Sequence, residues 1–264
     1  MDDLAVLIPA YNDSLSLVKT LNSIDEENNN FTVFVVDDGS ENPITINEQR
    51  YPFQVVVIRY EVNKGIVGAL NQGLSEIKSL GKFKFIARLD CADLNIVNRF
   101  KIQYEYLQEN KNTFLVGSNV EFFNPDSDYS FKTNVPLTHD ELKRSRWAKT
   151  CFVHPTVFFR VELIDSIGFY PTTYSHTEDL VYFHKAMLNE KCENLSDVLV
   201  KCEIRSGGIS GKNRHSQLRS GLRYKLDNPC FTDIYWYISI FRTISYLILK
   251  RELVDKIKMI FNHS

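Results

Sequence analysis

The chain has 264 residues, enough for one large domain or two small ones, and its 44% apolar content is ordinary for a globular core. A formal net charge of −2 supplies no global positive field toward nucleic acid. The five cysteines form no CxxC pair, which argues against a zinc site or disulfide scaffold and for a reducing compartment.

The first residues, MDDLAVLIPAYND, are acidic where a signal peptide is basic, and no apolar run reaches the about 18 to 20 residues of a spanning helix. The sequence therefore reads as cytoplasmic. Residues 4–8 form a short apolar run stopped by Pro9, a buried strand. Leu15, Val18, Leu21 and Ile24 recur at helical spacing and predict a helix over 14–24, with Asn12, Asp13 or Ser14 as cap. Strands are predicted over 31–36, 55–59 and 83–89, helices over 65–78 and 95–108, and a further strand over 113–118. This alternation predicts an α/β fold with a mostly parallel sheet and helices on both faces.

Beyond residue 120 the alternation breaks. Residues 124–128 read as a loop. A helix is predicted over 138–147, where Thr138 and Glu141 have capping-box spacing. A strand over 153–160, a helix over 177–189 and a strand over 195–204 follow, then the glycine-rich loop SGGISGKN. Residues 231–261 are dense in aromatic and aliphatic side chains, with Asp233 as cap and Arg242, Lys250, Arg251, Lys256 and Lys258 interspersed. That mix suits either an interfacial helix meeting anionic lipid or a helical hairpin packed on the sheet or at a dimer contact.

The segment FTVFVVDDGS carries the chemistry best: an apolar strand closes on Asp37, Asp38, Gly39 and Ser40. The carboxyl edge of an open α/β sheet is where ligands bind, although Asp and Gly also favour plain turns. The first turn, PAYND, lacks the glycines of a dinucleotide fingerprint, and the chain has no GxxxxGK[ST] or GxSxG. What remains is a series of strand ends bearing Tyr11, Asp38, Asp90 and Asp93. An aromatic face and a carboxylate acceptor suit a nucleobase.

Together these segments resemble a family 2 glycosyltransferase with the GT-A fold, inverting and of the bacterial surface-polysaccharide type. VLIPAYND, VVDDGS, NKGIVGALNQGL and IARLDCADLNIVNRFKIQ match in order and spacing over residues 4–108. HTEDLVYFHKA resembles the segment opening the base helix, and RSGGISGKN a loop near the donor diphosphate. The resemblance implies a Rossmann-like nucleotide-binding sheet with a C-terminal helical extension. It implies a GT-A domain over 1–215, divided into a nucleotide-sugar half (1–120) and an acceptor half (121–215), with a helical, membrane-associating segment over 216–264. Pro9, Tyr11, Asp38, Asn63, Gly65, Arg88 and Asp90 match nucleotide-sugar-binding positions. Asp179 matches the general base, with Glu178 beside it, and His154 and His176 fall on the acceptor side. Tyr170 and Tyr174 precede the Glu178–Asp179 pair and could stack on a sugar.

One departure concerns the metal. The family pattern D-x-D-D reads Asp90-Cys91-Ala92-Asp93 here, and Ala92 has no donor at a usual ligand position. Asp90 and Asp93 remain as ligands for Mn²⁺ or Mg²⁺. Otherwise Arg205, Lys212 or Arg214 neutralise the diphosphate. The resemblance implies transfer from a nucleotide-diphosphate sugar, UDP-linked first, to a hydroxyl of a glycan or lipid-linked acceptor, with peripheral membrane contact and no nucleic acid. A sugar-phosphate nucleotidyltransferase and a degenerate sugar-nucleotide-binding scaffold are the alternatives.

Overall fold

The computed structural model describes residues 1–204 and 213–249. Arg205, Lys212 and the basic residues from Lys250 onward lie outside the described residues. The chain order is β1 (Leu4–Ala10), α1 (Ser14–Asn22), β2 (Thr32–Asp37), β3 (Gln54–Arg59), α2 (Gly65–Ser79) and β4 (Phe85–Arg88). Next come β5 (Leu94–Asn95), α3 (Arg99–Glu109), β6 (Thr113–Phe123), β7 (Ser130–Lys132) and α4 (His139–Ser145). Then follow β8 (Phe158–Arg160), α5 (Glu162–Ile167), α6 (Glu178–Asn189) and β9 (Lys191–Glu203). Two further helices close the described chain, α7 (Arg214–Asp227) and α8 (Ile234–Ile248).

One nine-stranded sheet runs β3-β2-β1-β4-β8-β6-β9-β5, with β7 paired to β6. The first four of these strands are mutually parallel, as the strand–helix alternation requires. β8 joins β4 antiparallel and switches the sheet into its second half. β1 is buried along its whole length because it lies between β2 and β4 with helices on both faces. Its side chains divide by parity: Ala5 and Leu7 pack in the core under α2, whereas Leu4, Val6 and Ile8 pack with Leu17, Leu21, Phe100 and Leu107 of α1 and α3. α2 lies so close that a Cβ on Gly73 would stand 2.3 Å from Leu7 Cδ1.

Several boundaries differ from expectation. α3 begins at Arg99 rather than 95, because Leu94 and Asn95 pair with β9. Its N-terminus is capped from a distance: Glu26 accepts from the amides of Phe100 at 2.8 Å and Lys101 at 3.1 Å. The run over 153–160 is a strand only from Phe158; His154–Thr156 form a 3₁₀ turn around Pro155. α4 carries its capping box as expected. The short helix α5 was not anticipated; α7 falls mainly in the segment expected to be helical over 216–264, though it crosses the expected division at 215/216.

The two C-terminal helices pack as a hairpin on α6 through Trp147, Val181, Tyr224 and Trp236. α8 turns its small polar residues inward: Ser239 and Thr243 are buried, and Lys225 of α7 donates to the Ser239 carbonyl and, at 2.6 Å, to Thr243 Oγ1. Ile234, Tyr237, Ile238, Phe241 and Ile248 point outward, Phe241 being 75% exposed.

Candidate active site

The carboxyl ends of β2, β1 and β4 lie side by side, and their loops are tied together. Ser40 accepts from the Asn12 amide at 2.9 Å, and Asn12 Oδ1 accepts from the Glu41 amide. The Cys91 thiol donates to the Asp13 carbonyl at 3.4 Å. Pro9 is tolerated in a central strand because its missing N–H falls on the β4 side, beyond the last partner there, the Leu89 amide on the Leu7 carbonyl. Tyr11 follows at the strand end, 48% exposed.

The two aspartates of the VVDDGS turn have separate tasks. Asp37 is fully buried and builds the turn, accepting from the amides of Ser40 and Ile44 and from the Arg59 guanidinium. Burial pushes its carboxyl up, but the Ser40 hydroxyl, these amides and Arg59 outweigh it and hold it below the ordinary range. Asp38 faces the β3–α2 loop and accepts from the Lys64 amide at 2.8 Å. Burial, aided by the charge of Asp37, raises its carboxyl despite the amides of Lys64 and Gly65. Gly39 has φ +72°, and a Cβ there would meet the Asn63 amide nitrogen at 2.5 Å, so only glycine lets the two loops touch. Asn63 in turn accepts from the Gly65 amide, and Gly65 opens α2 with φ +76°.

Arg88 closes β4 fully buried, donates to the Leu89 carbonyl and pairs with Asp90, whose side chain is 34% exposed. Arg88 Nε has no hydrogen-bond partner among the described residues. Asp93 sits one turn on, raised to about 7 by burial first and by Asp90 second, against hydrogen bonds from the Cys202 thiol and the Glu203 amide of β9. Between them Ala92 takes φ +90°, rare for a residue with a Cβ, and its amide donates to Thr20 Oγ1 at 2.9 Å.

The Glu178–Asp179 pair opens α6, near enough to Asp90 for the Asp179 and Asp90 carboxylates to feel each other's charge. Asp179 is raised to about 6, by burial first, then by the charges of Glu178 and Asp90, against the Leu180 amide. Glu178 is 8% exposed, and its Oε2 has no partner among the described residues. His154 shares a 2.9 Å hydrogen bond between Nε2 and the Tyr170 hydroxyl. Burial first, then Arg88, lowers His154 to about 3, so the ring is neutral at physiological pH. Tyr170 is buried and feels the charges of Arg88, Asp179 and Asp90. Arg88, Asp90, His154, Tyr170 and Asp179 thus share one electrostatic neighbourhood. His176, at φ +63°, lies in the turn immediately before α6. Tyr174 points elsewhere, to Asp227 of α7. Arg214 begins α7.

Among the described residues, no three histidine, cysteine or acidic side chains cluster to hold a metal ion. The donor set still fits a divalent cation shared with a diphosphate. Asp90 and Asp93 are hard oxygen donors at charge-coupling distance, and Mg²⁺ or Mn²⁺ commonly takes one or two carboxylates beside substrate phosphates.

The sequence model of glycosyl transferase family 2 matches residues 5–168. The chain belongs to this family. Among curated relatives, a UDP-Gal:alpha-D-GlcNAc-diphosphoundecaprenol beta-1,3-galactosyltransferase of Escherichia coli is 30% identical over 189 residues, covering 67% of this chain and 66% of that protein. The amylovoran biosynthesis glycosyltransferase AmsE of Erwinia amylovora is 27% identical over 174 residues, covering 65% of this chain and 63% of that protein. The matches thus span under two thirds of either relative's length. Residues 1–349 of S. aureus TarS, solved with UDP-GlcNAc, superpose with TM-score 0.67 at 18% identity, covering 94% of this chain and 76% of that one. A mannosyltransferase of Pyrobaculum calidifontis, solved with GDP-Man and Mn²⁺, superposes with TM-score 0.62 at 15% identity, covering 93% and 69%. The fold is GT-A, as the sequence segments imply.

Asp37 was the partner the sequence left unassigned, and Glu26 gave no signal because it acts on the amides of Phe100 and Lys101, more than 70 residues away. Asn71 and Tyr182 fall in matched segments, but nothing local shows that both engage Tyr170.

Proposed function

We propose that the protein is an inverting transferase that moves a sugar from a nucleotide-diphosphate donor to a hydroxyl of a glycan or lipid-linked acceptor in bacterial polysaccharide synthesis. The observation that supports this reading best is the electrostatic proximity of Asp179, at the start of α6, to Asp90, which follows the carboxyl end of β4. Tyr11 offers its exposed ring to the base, and Asp38, beside the Asn63–Gly65 turn, accepts the base N–H. Arg88, with an unused Nε among the described residues, supplies fixed positive charge beside Asp90, where negative charge grows on the leaving diphosphate. A divalent cation held by Asp90 and Asp93 would add to that stabilisation. Asp179 takes the proton of the attacking hydroxyl, and its raised affinity for protons suits a general base near neutral pH. Direct displacement from the face opposite the diphosphate inverts the anomeric centre. His154, neutral and bound to Tyr170, lines the acceptor side without exchanging protons, with His176 at the mouth of the base helix.

A UDP-sugar donor and a diphospholipid acceptor are favoured by similarity to the E. coli UDP-Gal:alpha-D-GlcNAc-diphosphoundecaprenol beta-1,3-galactosyltransferase. Contact with the inner face of the cell membrane is supported by α8, which exposes Ile234, Tyr237, Ile238, Phe241 and Ile248 beside the exposed Arg242. No helix among the described residues is long and apolar enough to cross a membrane. The competing reading, a scaffold that binds sugar nucleotide without transfer, draws on Ala92 alone.

The test is a thermal-shift screen of UDP, GDP and dTDP and their sugars, with and without Mn²⁺, followed by measurement of nucleoside diphosphate release. A raised melting temperature with one base and release that Asp179→Asn abolishes is the expected result. If no nucleotide shifts the melting temperature, the donor site is wrongly placed.

A further inference from the structure

Asn71 belongs to the NKGIVGALNQGL segment, yet none of the nucleotide contacts above gives it a task. It lies in the middle of α2, and its side-chain amide is spent on one residue far along the chain. Its Nδ2 donates to the Tyr170 carbonyl at 2.9 Å, and its Oδ1 accepts from the Tyr170 amide, also at 2.9 Å. An amide side chain so placed does what a neighbouring strand would do. It satisfies both backbone groups of a loop residue that has no ladder partner.

Tyr170 passes this constraint on. Its ring stacks on Tyr182 at 4.1 Å between centroids with an interplanar angle of 17°. Tyr182 stands three residues after Asp179 on α6, so the two side chains lie on neighbouring positions of one helix face. From the other side, His154 holds the Tyr170 hydroxyl and meets Phe183 of α6 edge-on at 5.7 Å. Beside its packing on α4, α5 and β9, α6 thus rests, next to Asp179, on a ring whose backbone is pinned to α2. α2 is itself pressed onto β1 and β2 through Gly73.

We infer that Asn71 is a positioning residue that registers the base-bearing helix α6 against the nucleotide half of the fold, acting through Tyr170 and Tyr182. The inference rests on Asp179 being the base. Removing the amide leaves the nucleotide contacts intact and lets α6 shift relative to them. A misplacement of about 1 Å at a reacting group costs on the order of a hundredfold in rate.

The experiment compares Asn71→Ala and Asn71→Asp with the parent in two measurements. Asn71→Asp keeps the acceptor for the Tyr170 amide but sets an oxygen against the Tyr170 carbonyl. Hydrogen exchange of residues 168–183 is expected to quicken about tenfold or more in both variants, while that of 4–10 and 32–37 is unchanged. Nucleoside diphosphate release from a panel of UDP-, GDP- and dTDP-sugars, with water as acceptor, is expected to lose about tenfold or more in kcat, with donor KM held within about threefold. Unchanged exchange, unchanged kcat, or equal damage to kcat and donor KM overturns the inference. So does failure of both variants to fold, which makes Asn71 a residue of the fold alone. Should the parent release no diphosphate from any sugar, the transferase reading fails, and the exchange comparison still decides whether Asn71 controls α6.

Discussion

Replacing Asp179 by Asn is expected to stabilise the protein while removing transfer. Burial lifts the Asp179 carboxyl from an ordinary 3.8 to about 6. In the unfolded chain it ionises near its ordinary value, so between about pH 4 and 6 the folded state holds a proton that the unfolded state has lost. Stability therefore falls as pH rises through that window and levels off above the folded value. At about 1.4 kcal/mol per pKa unit, the ionised carboxylate costs the folded state about 3 kcal/mol at neutral pH, an upper figure because local relaxation reduces it. Asparagine keeps the shape and the oxygen that accepts from the Leu180 amide at 2.7 Å, without the charge. Calorimetric melting in EDTA should show a gain for Asp179→Asn of about 5 °C or more at pH 7.5, shrinking to nothing at about pH 4. The parent's transfer rate should fall about tenfold between its plateau and pH 5, as the base protonates. No gain at pH 7.5, or an equal gain at pH 4, refutes the claim that a buried carboxylate stands strained at this position.

The adjacent aspartates should separate cleanly. Asp38→Ala weakens nucleoside diphosphate binding by about 1 to 3 kcal/mol in calorimetry, whereas Asp37→Ala lowers the urea midpoint by a comparable free energy because it frees Arg59 and the turn amides. An unchanged Kd in Asp38→Ala removes it from base recognition. Glu26→Ala strips α3 of its cap and costs about 1 to 3 kcal/mol, read as a shifted midpoint at constant m-value. The pair Phe241→Asp and Ile248→Asp, both exposed, should leave melting unchanged and abolish sedimentation with anionic vesicles. Undiminished sedimentation ends the case for lipid contact through α8.

The division between what the sequence reveals and what it conceals follows the range of the interactions. β1, β2 and β4 are legible because strands buried on both faces must be largely apolar, and Tyr11, Asp38 and Asp90, at or after their ends, stand out against that background. α4 is legible because its cap lies three residues from its partner. α7 is not: it carries few apolar residues, with Gly221 and Tyr224 its buried positions, so no periodicity marks it. Nor is the cap of α3, since the Asn98 side chain makes no capping bond and Glu26 supplies the acceptor from more than 70 residues away.

The same logic explains why the VVDDGS aspartates cannot be ranked from sequence. Their neighbours in the chain are shared, and only Arg59 and Ile44 on one side and Lys64 on the other tell them apart. It also explains why α8 looks alike whether it packs inward or outward. The apolar residues of 231–249 outnumber what one buried stripe needs, so the sequence leaves its orientation open. The choice is made by Lys225, a partly buried ammonium lowered to about 8 by desolvation, which takes the Ser239 carbonyl and the Thr243 hydroxyl as partners. A buried cation without acceptors costs more than exposing a few isoleucines. One basic residue on α7 thereby holds Ser239 and Thr243 of α8 inward, beside the buried Trp236, while Ile238, Phe241 and Ile248 remain exposed.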